Sequence, residues 1–343
     1  MVHSPLSRLF GGGVFISKST LDDLLRAAFE MLLSSGLPTS PSRGSARELT
    51  GILLELTNPR ARLSRTETKG SAFSCIGELL WYLSGSNSLK FIEYYIPRYK
   101  EETEDGATVY GGYGPRLFDL AGINQIQNVI SLLTVSPYSR RAVIQIFAGA
   151  DINRRRKEIP CTCTLQFIVR DDVLHLFVNM RSNDAYFGLP HDVFAFTMLQ
   201  EIVARSLGID IGTYKHFAGS LHIYEKYISD AEKFIGEGFQ CYDLAMPEMP
   251  IGDPWNSIQR LLEIEAKLRE KTPVNVAIQE IDSYWLDLAR LLEVFAAGKS
   301  TDVLEMRRLA LEMHDDIFST YIDGRIEKAS QSKKLQRQLP FGK

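Results

Sequence analysis

Cys161 follows a proline, and Arg181, Ser182, Asp184 and Asp192 come soon after it in the chain. A cysteine among arginines is a candidate nucleophile, because nearby positive charge lowers the thiol pKa and favours the thiolate. Arg140, Arg141, Arg181 and Ser182 supply forked cationic donors and a hydroxyl, the groups that grip a phosphate monoester. Glu78 stands alone in the apolar run FSCIGELLWYL. It is either a paired core acid or a general acid/base whose pKa burial raises. Each residue alone also has a plain reading: a lone cysteine is usually a small buried hydrophobe, and an arginine pair is usually a surface feature. The cysteines at 75, 161, 163 and 241 form no zinc-ligand pattern, so no metal is expected.

These groups need a scaffold. Two strand-like runs flank an Asp171-Asp172 turn, and strand alternation predicts that Cys163 faces the same way as Cys161. Gly188-Leu189-Pro190 reads as a turn into an amphipathic helix over 193–207. Upstream, helical spacing covers 21–33 and stops at Gly36-Leu37-Pro38. A strand is expected over 48–56, and helices over 73–83 and 123–133. Arg140-Arg141 opens a further strand, AVIQIF. Residues 100–116 form a Gly- and Tyr-rich loop of the kind that covers binding sites. The run RRRK at 154–157 reads as a solvated turn, 214–224 as mixed strand and turn, and 247–255 as a linker or edge loop. Helical runs follow from 263 to 325, then a basic, frayed tail from 328 to 343. The pattern indicates an α+β or α/β core with a helical C-terminal appendage.

Composition narrows the class. With 343 residues, 45% hydrophobic and 24% charged, the chain can bury a substantial core. A net charge of −3 argues against a general nucleic-acid binder. No run approaches the roughly 18 apolar residues of a membrane span, and no membrane partner is expected. Few cysteines and no leader-like start fit a reducing, cytoplasmic setting.

The motifs together resemble thymidylate synthase. They are P-C-x4-Q-F (Pro160, Cys161, Gln166, Phe167), R-S-x-D-x3-G-L-P (Arg181 to Pro190), H-x-Y (His222, Tyr224), E-L-L-W from Glu78, Y-G at Tyr113-Gly114, and Arg140-Arg141. The resemblance runs from about Arg43 to Tyr227. It implies an α+β fold, with a thymidylate synthase-like twisted mixed sheet, surrounding helices and a helical C-terminal extension. Residues 1–245 would be the catalytic domain and 246–343 the extension packed on it. It also implies 5,10-methylenetetrahydrofolate as cofactor, a pyrimidine nucleotide monophosphate as substrate, and a homodimer in which Arg140 and Arg141 act in trans. Carried over by position, Cys161 adds to C6 of the base, Glu78 organises water and moves protons, and Tyr113 supports the nucleophile, with Tyr110 as the competing register. Arg43, Arg140, Arg141, Arg181 and Ser182 hold the phosphate, and Gln166 joins the substrate set. His222 and Tyr224 bond the sugar, and Asp184, Gly188 and Lys69 serve the folate.

The chain departs from that family at informative places. Asp192 stands where the synthase has an asparagine. An amide matches uracil with one acceptor and one donor, whereas a carboxylate pairs with donors and suits cytosine. Opposite uracil an ionised Asp192 leaves an unmatched acceptor costing on the order of 1–3 kcal/mol. The plain alternative is a cap on the following helix. Asp192 is what deoxycytidylate hydroxymethylases resemble here. Thr162 replaces the histidine after the nucleophile, His191 replaces a phenylalanine, and residues 94–106 lack the tryptophans above the folate. A less sealed site admits water. The expectation is therefore a 5-hydroxymethylase of dCMP, ahead of CMP. The alternatives are a methylating enzyme acting on dCMP or dUMP, and a catalytically inactive nucleotide-binding homologue.

Overall fold

A computed structural model describes residues 14–41, 43–66, 72–239, 244–276 and 281–338. The chain runs β1 (Val14–Lys18), α1 (Leu21–Ser35), β2 (Leu37–Thr39), β3 (Ala46–Leu56), α2 (Ala72–Leu83), α3 (Leu89–Tyr95), α4 (Tyr113–Phe118), α5 (Gln125–Val135) and β4 (Val143–Gln145). It continues with β5 (Thr162–Arg170), β6 (Val173–Met180), β7 (Asn183–Asp184), α6 (Gly188–Ser206), β8 (Asp210–Tyr224) and α7 (Ile228–Gly236). The C-terminal helices are α8 (Trp255–Arg269), α9 (Ser283–Lys299), α10 (Val303–Ala310) and α11 (Ser319–Gln338).

Among the described residues eight strands form one mixed sheet in the order β1-β3-β8-β6-β5-β4, with β2 on β3 and β7 on β8. The β1–β3 and β6–β8 pairs are parallel and the β3–β8, β5–β6 and β4–β5 pairs antiparallel. This is the expected α+β class. Alternation along β5 and β6 turns Leu165, Phe167, Val169, Leu174, Leu176 and Val178 inward. Against that face lies α6, whose Phe194 and Phe196 are fully buried. Each such ring contributes about 1.5–3 kcal/mol through the area it removes from water. Asp171 and Asp172 turn the β5–β6 hairpin with φ of 51° and 58°. Aspartate tolerates that left-handed region better than most side chains. Thr20 starts α1 by accepting from the Asp23 N–H at 3.2 Å.

Four expectations change. Residues 214–224 are no mixture of strand and turn but part of the 15-residue strand β8, held between β3 and β6. The helix expected from 193 begins at Gly188, so Gly188-Leu189-Pro190 is its first turn, which proline tolerates. Asp192 therefore lies inside the helix and is not its cap. The basic tail is helical through Gln338. The stretch before α8 is packed down, with Met246 and Met249 buried and the Met249 N–H donating to Glu201 at 3.1 Å.

The C-terminal helices press on the same core. Phe295 of α9 stacks on Tyr95 at 4.9 Å, and the Tyr321 hydroxyl donates to the Ser64 carbonyl at 2.7 Å. Among the described residues, no helix is long and apolar enough to cross a membrane.

Candidate active site

Cys161 sits just before β5, where a bulge between Thr162 and Thr164 opens the register against β6. Cys163 is the extra residue of that bulge, so simple alternation does not carry from Cys161 to Cys163. Arg181 leaves the far end of the hairpin and folds back along the nucleophile's own segment. Its guanidinium donates to the Pro160 carbonyl at 2.9 Å and the Ile159 carbonyl at 3.2 Å, and lies 3.7 Å from the Cys161 sulfur. Even so, the thiol is pushed up to about 11. Burial outweighs Arg181 and Arg43, and the charges of Asp192 and Glu158 add to it. The expected lowering by arginines is present in sign but is not the net result.

Tyr113, at the start of α4, turns its hydroxyl to the residue after the nucleophile. It accepts from the Thr162 hydroxyl at 2.9 Å and from the Thr162 N–H at 3.2 Å. Tyr110 is elsewhere: its hydroxyl donates to Asp151 at 2.8 Å. Glu78, buried on α2, accepts from the hydroxyls of Tyr82 at 3.1 Å and Tyr99 at 2.5 Å. Burial, then the Glu78 charge, holds both phenols well above their ordinary pKa, so they stay donors.

Asp192 lies on the first turns of α6 and is 8% exposed. Asn183 of β7 donates its amide Nδ2 to Asp192 Oδ2 at 2.7 Å. Asn183 Oδ1 is buried without a partner among the described residues. Burial, then the Glu78 charge, pushes Asp192 up to about 8, despite the Asn183 bond and the His191 charge. Gly188 makes room for this pair, since a Cβ there would stand 3.0 Å from Asn183 Nδ2. His191 bridges the Phe187 carbonyl and the Ser74 hydroxyl, each at 2.9 Å. Burial lowers its pKa, but Cys75, Glu78 and the Phe187 carbonyl carry it up to about 9.

Asp184 pairs in register with His222, and its Oδ1 accepts from the N–H groups of Tyr186 at 2.9 Å and Phe187 at 3.3 Å. His222 and Tyr224 stand ring edge to ring face at 5.1 Å, with the His222 pKa lowered by burial. Ser182 is half-buried beside Arg181. Arg43 is exposed and paired to Glu102 at 2.5 Å.

Three of the expected residues are not in this group. Arg140 and Arg141 are exposed at the turn before β4. Gln166 alternates with buried Leu165 and Phe167, so it faces the outer side of the sheet, where it donates to the Arg140 carbonyl at 2.9 Å. Lys69 lies outside the described residues.

Beyond Arg43 opens a polar cavity of about 900 Å³. Arg98, Arg154, Arg155 and Lys226 line it with no ion pair among the described residues, facing Glu101, Glu102 and Glu104. The RRRK run is the expected solvated turn, with Arg154, Arg155 and Lys157 exposed, and it also forms part of the cavity wall. Arg156 lies 3.4 Å above the Tyr110 ring, and Lys157 Nζ donates to the Thr103 carbonyl at 2.9 Å. Motif reading missed Asn183, Tyr82, Tyr99 and Glu158. Asn183 was visible only as the open position of R-S-x-D, and Glu158 as an acid two residues before Pro160.

The profile of the family described as "Thymidylate synthase" matches residues 56–265. A "Deoxyuridylate hydroxymethyltransferase" of Delftia phage PhiW-14 is 30% identical over 198 residues, covering 54% of this chain and 55% of the relative. A protein of the same description from Pseudomonas phage M6 is 31% identical over 166 residues, 48% of this chain and 47% of the relative. A "Thymidylate synthase" of Francisella tularensis subsp. holarctica is 30% identical over 203 residues, 54% of this chain and 72% of the relative. The chain thus spans about half the length of the two phage relatives.

Proposed function

The chain belongs to the thymidylate synthase family, and from that premise we propose that it is a folate-dependent 5-hydroxymethylase of a cytosine nucleotide monophosphate, dCMP ahead of CMP. The observation that carries the base assignment is the Asp192–Asn183 pair. Asn183 Oδ1 is a buried acceptor with no partner among the described residues, beside a carboxyl group. The amino group of cytosine is a donor to both, whereas O4 of uracil would meet an acceptor.

In this reading Cys161 adds to C6 of the ring, which makes C5 nucleophilic. The neutral resting thiol must lose its proton once substrate is bound, with Arg181 and Arg43 as the cations that favour the thiolate. Glu78, held by Tyr82 and Tyr99, orients water and relays the proton lost from C5. Arg43, Arg181 and Ser182 hold the phosphate, and His222 and Tyr224 hold the sugar. Tyr113 fixes Thr162 and with it the segment that bears the nucleophile.

The residues present fit a folate. Asp184 keeps its second oxygen for a pterin, Phe187 offers a 39% exposed apolar ring edge-on to Tyr227 at 4.8 Å, and the basic cavity suits glutamate carboxylates. Gly188 leaves the floor open, and Lys69 completes the proposed set. When bound, 5,10-methylenetetrahydrofolate supplies a one-carbon unit at the oxidation level of formaldehyde. Polar walls around the site, where an apolar lid would exclude solvent, favour water as the final nucleophile.

Homodimerisation through the outer sheet face belongs to the same proposal. Phe15, Val143 and Phe217 are 56%, 44% and 37% exposed on that face. Arg140 and Arg141 stand beside it, away from Cys161 of their own chain and free to serve a partner. Residues 246–343 act as a helical extension of a catalytic body formed by 1–245, and a cytoplasmic setting fits the free thiols.

A second reading is 5-hydroxymethylation of dUMP. At neutral pH an Asp192 pushed up to about 8 is largely the acid, with one donor and one acceptor, as an amide has. The two phage relatives carry a deoxyuridylate description. Release of tritium from C5-tritiated dCMP, CMP and dUMP in the presence of 5,10-methylenetetrahydrofolate separates these readings. Release is expected in that order of rate and is lost in Cys161→Ala. Fastest release from dUMP refutes the cytosine assignment, and none from any pyrimidine monophosphate refutes the enzyme reading.

A further inference from the structure

Glu158 stands three positions before the nucleophile, and no step above uses it. Its carboxyl is packed on the backbone of Gly111, whose N–H donates to Oε2 at 2.8 Å. A Cβ at Gly111 would stand 2.1 Å from that oxygen, so the glycine is what lets the carboxyl occupy this place. Among the described residues Glu158 has no ion pair and no other hydrogen bond. Its charge reaches Cys161 and Tyr99 on one side, and Arg43 and Glu102 of the cavity wall on the other. It therefore stands near the sulfur and near two residues of the cavity wall.

We infer that Glu158 is the base that activates water for the last step of hydroxymethyl transfer, an inference that rests on the function proposed above. After the one-carbon unit has joined C5 and the C5 proton has left, the ring carries an exocyclic methylene at C5 while C6 is still bonded to Cys161. Water attacks the methylene carbon. The O–H bond breaks as its proton passes to Glu158, and the new C–O bond forms. The methylene electron pair returns to C5, the C5–C6 double bond reforms, and the C6–S bond breaks with its pair staying on sulfur. The proton on Glu158 is then free to return to the thiolate, and no oxidant or reductant is consumed.

The surroundings suit a base that works near neutrality. Burial, then Glu102, pushes the Glu158 carboxyl up to about 7, against the Gly111 N–H, Arg43 and Arg116. Its charge also acts on Tyr99 and Cys161. A base with this pKa takes a proton from water while still holding a substantial carboxylate fraction.

The experiment uses the full-length enzyme, C5-tritiated dCMP and 5,10-methylenetetrahydrofolate. Glu158→Gln keeps an acceptor for the Gly111 N–H, so the loop it supports is retained. This variant should release about one equivalent of tritium per site and then stall. Its hydroxymethyl product should fall about 10²–10⁴-fold, the usual worth of a positioned base, and the acid limb of the product rate near pH 7 should vanish. Glu158→Asp should keep that limb at a reduced rate, which covers the case of a poorly folded glutamine variant. Wild-type product rate with the acid limb intact in Glu158→Gln overturns the inference. So does loss of the tritium burst in that variant while the wild type releases it. Absence of release from the wild type instead refutes the underlying function.

Discussion

Asp192 and Glu201 lie on one helix, both inside the protein, yet their surroundings drive them opposite ways. Glu201, fully buried, accepts from Arg62 at 2.5 Å and from Arg60 at 2.9 Å. Burial pushes its pKa up, but the two arginines outweigh it and hold the group below the usual range. Among the described residues Asp192 has no ion pair; the His191 charge lowers its pKa, but burial and the Glu78 charge outweigh it and push it up to about 8. One end of the helix uses a carboxylate as structure, and the other keeps a carboxyl poised to change state. Burial alone does not say which role an acid has. The partner does.

The largest effect that separates the two ends is on stability. Glu201→Gln leaves Arg62 buried beside a neutral partner and should cost about 3–5 kcal/mol in urea unfolding while leaving base preference alone. An unchanged unfolding midpoint would break the contrast. Asp192→Asn should do the reverse. It should shift preference between cytosine and uracil nucleotides by about 1–3 kcal/mol toward uracil, read from kcat/KM, without the loss of stability expected of Glu201→Gln. Unchanged base preference refutes the role assigned to Asp192.

Their pH dependence should also have opposite signs. Asp192 keeps its proton in the folded state up to about pH 8, while the unfolded chain loses it in the ordinary carboxylate range. Stability should therefore fall as pH rises between those limits, and Asp192→Asn should remove that fall. Glu201, held low, contributes stability above the ordinary carboxylate range that is lost as pH drops through its folded pKa. Unfolding midpoints of the two variants across pH 3 to 9, roughly the span of these carboxyl pKa values, check both signs.

A smaller effect concerns the resting thiol. With Cys161 pushed up to about 11, its alkylation by iodoacetamide in the free enzyme should keep rising with pH through the alkaline range. A plateau near neutrality contradicts the balance in which burial outweighs Arg181. The smallest expected effect lies in the cavity. Arg154→Glu together with Arg155→Glu should raise the folate KM by about 2–10-fold, less at high salt, because exposed charges are screened.

Most of the fold was legible because its periodicities are strong. The paired strands about Asp171-Asp172 and the apolar faces of α1 and α2 show in the residue pattern itself. The long strand β8 did not, because its HFAGS stretch looks turn-like and only the flanking strands β3 and β6 hold it extended. In the site, the motifs named Cys161, Arg181, Asp192 and Glu78 but not their partners. Asn183, Tyr99 and Glu158 come from other elements, and only the fold shows whom they meet. The net direction of the Cys161 pKa was illegible for the same reason, since it depends on burial that neighbouring residues in the sequence do not reveal.

The account turns on what is attached to C5 and to which base. Its most direct test is mass analysis of the nucleotide recovered after incubating the enzyme with dCMP and 5,10-methylenetetrahydrofolate. The account predicts a gain of one CH2O unit, the 5-hydroxymethyl nucleotide, with tetrahydrofolate as the by-product. A gain of one CH2 with dihydrofolate, or product from dUMP alone, would contradict it.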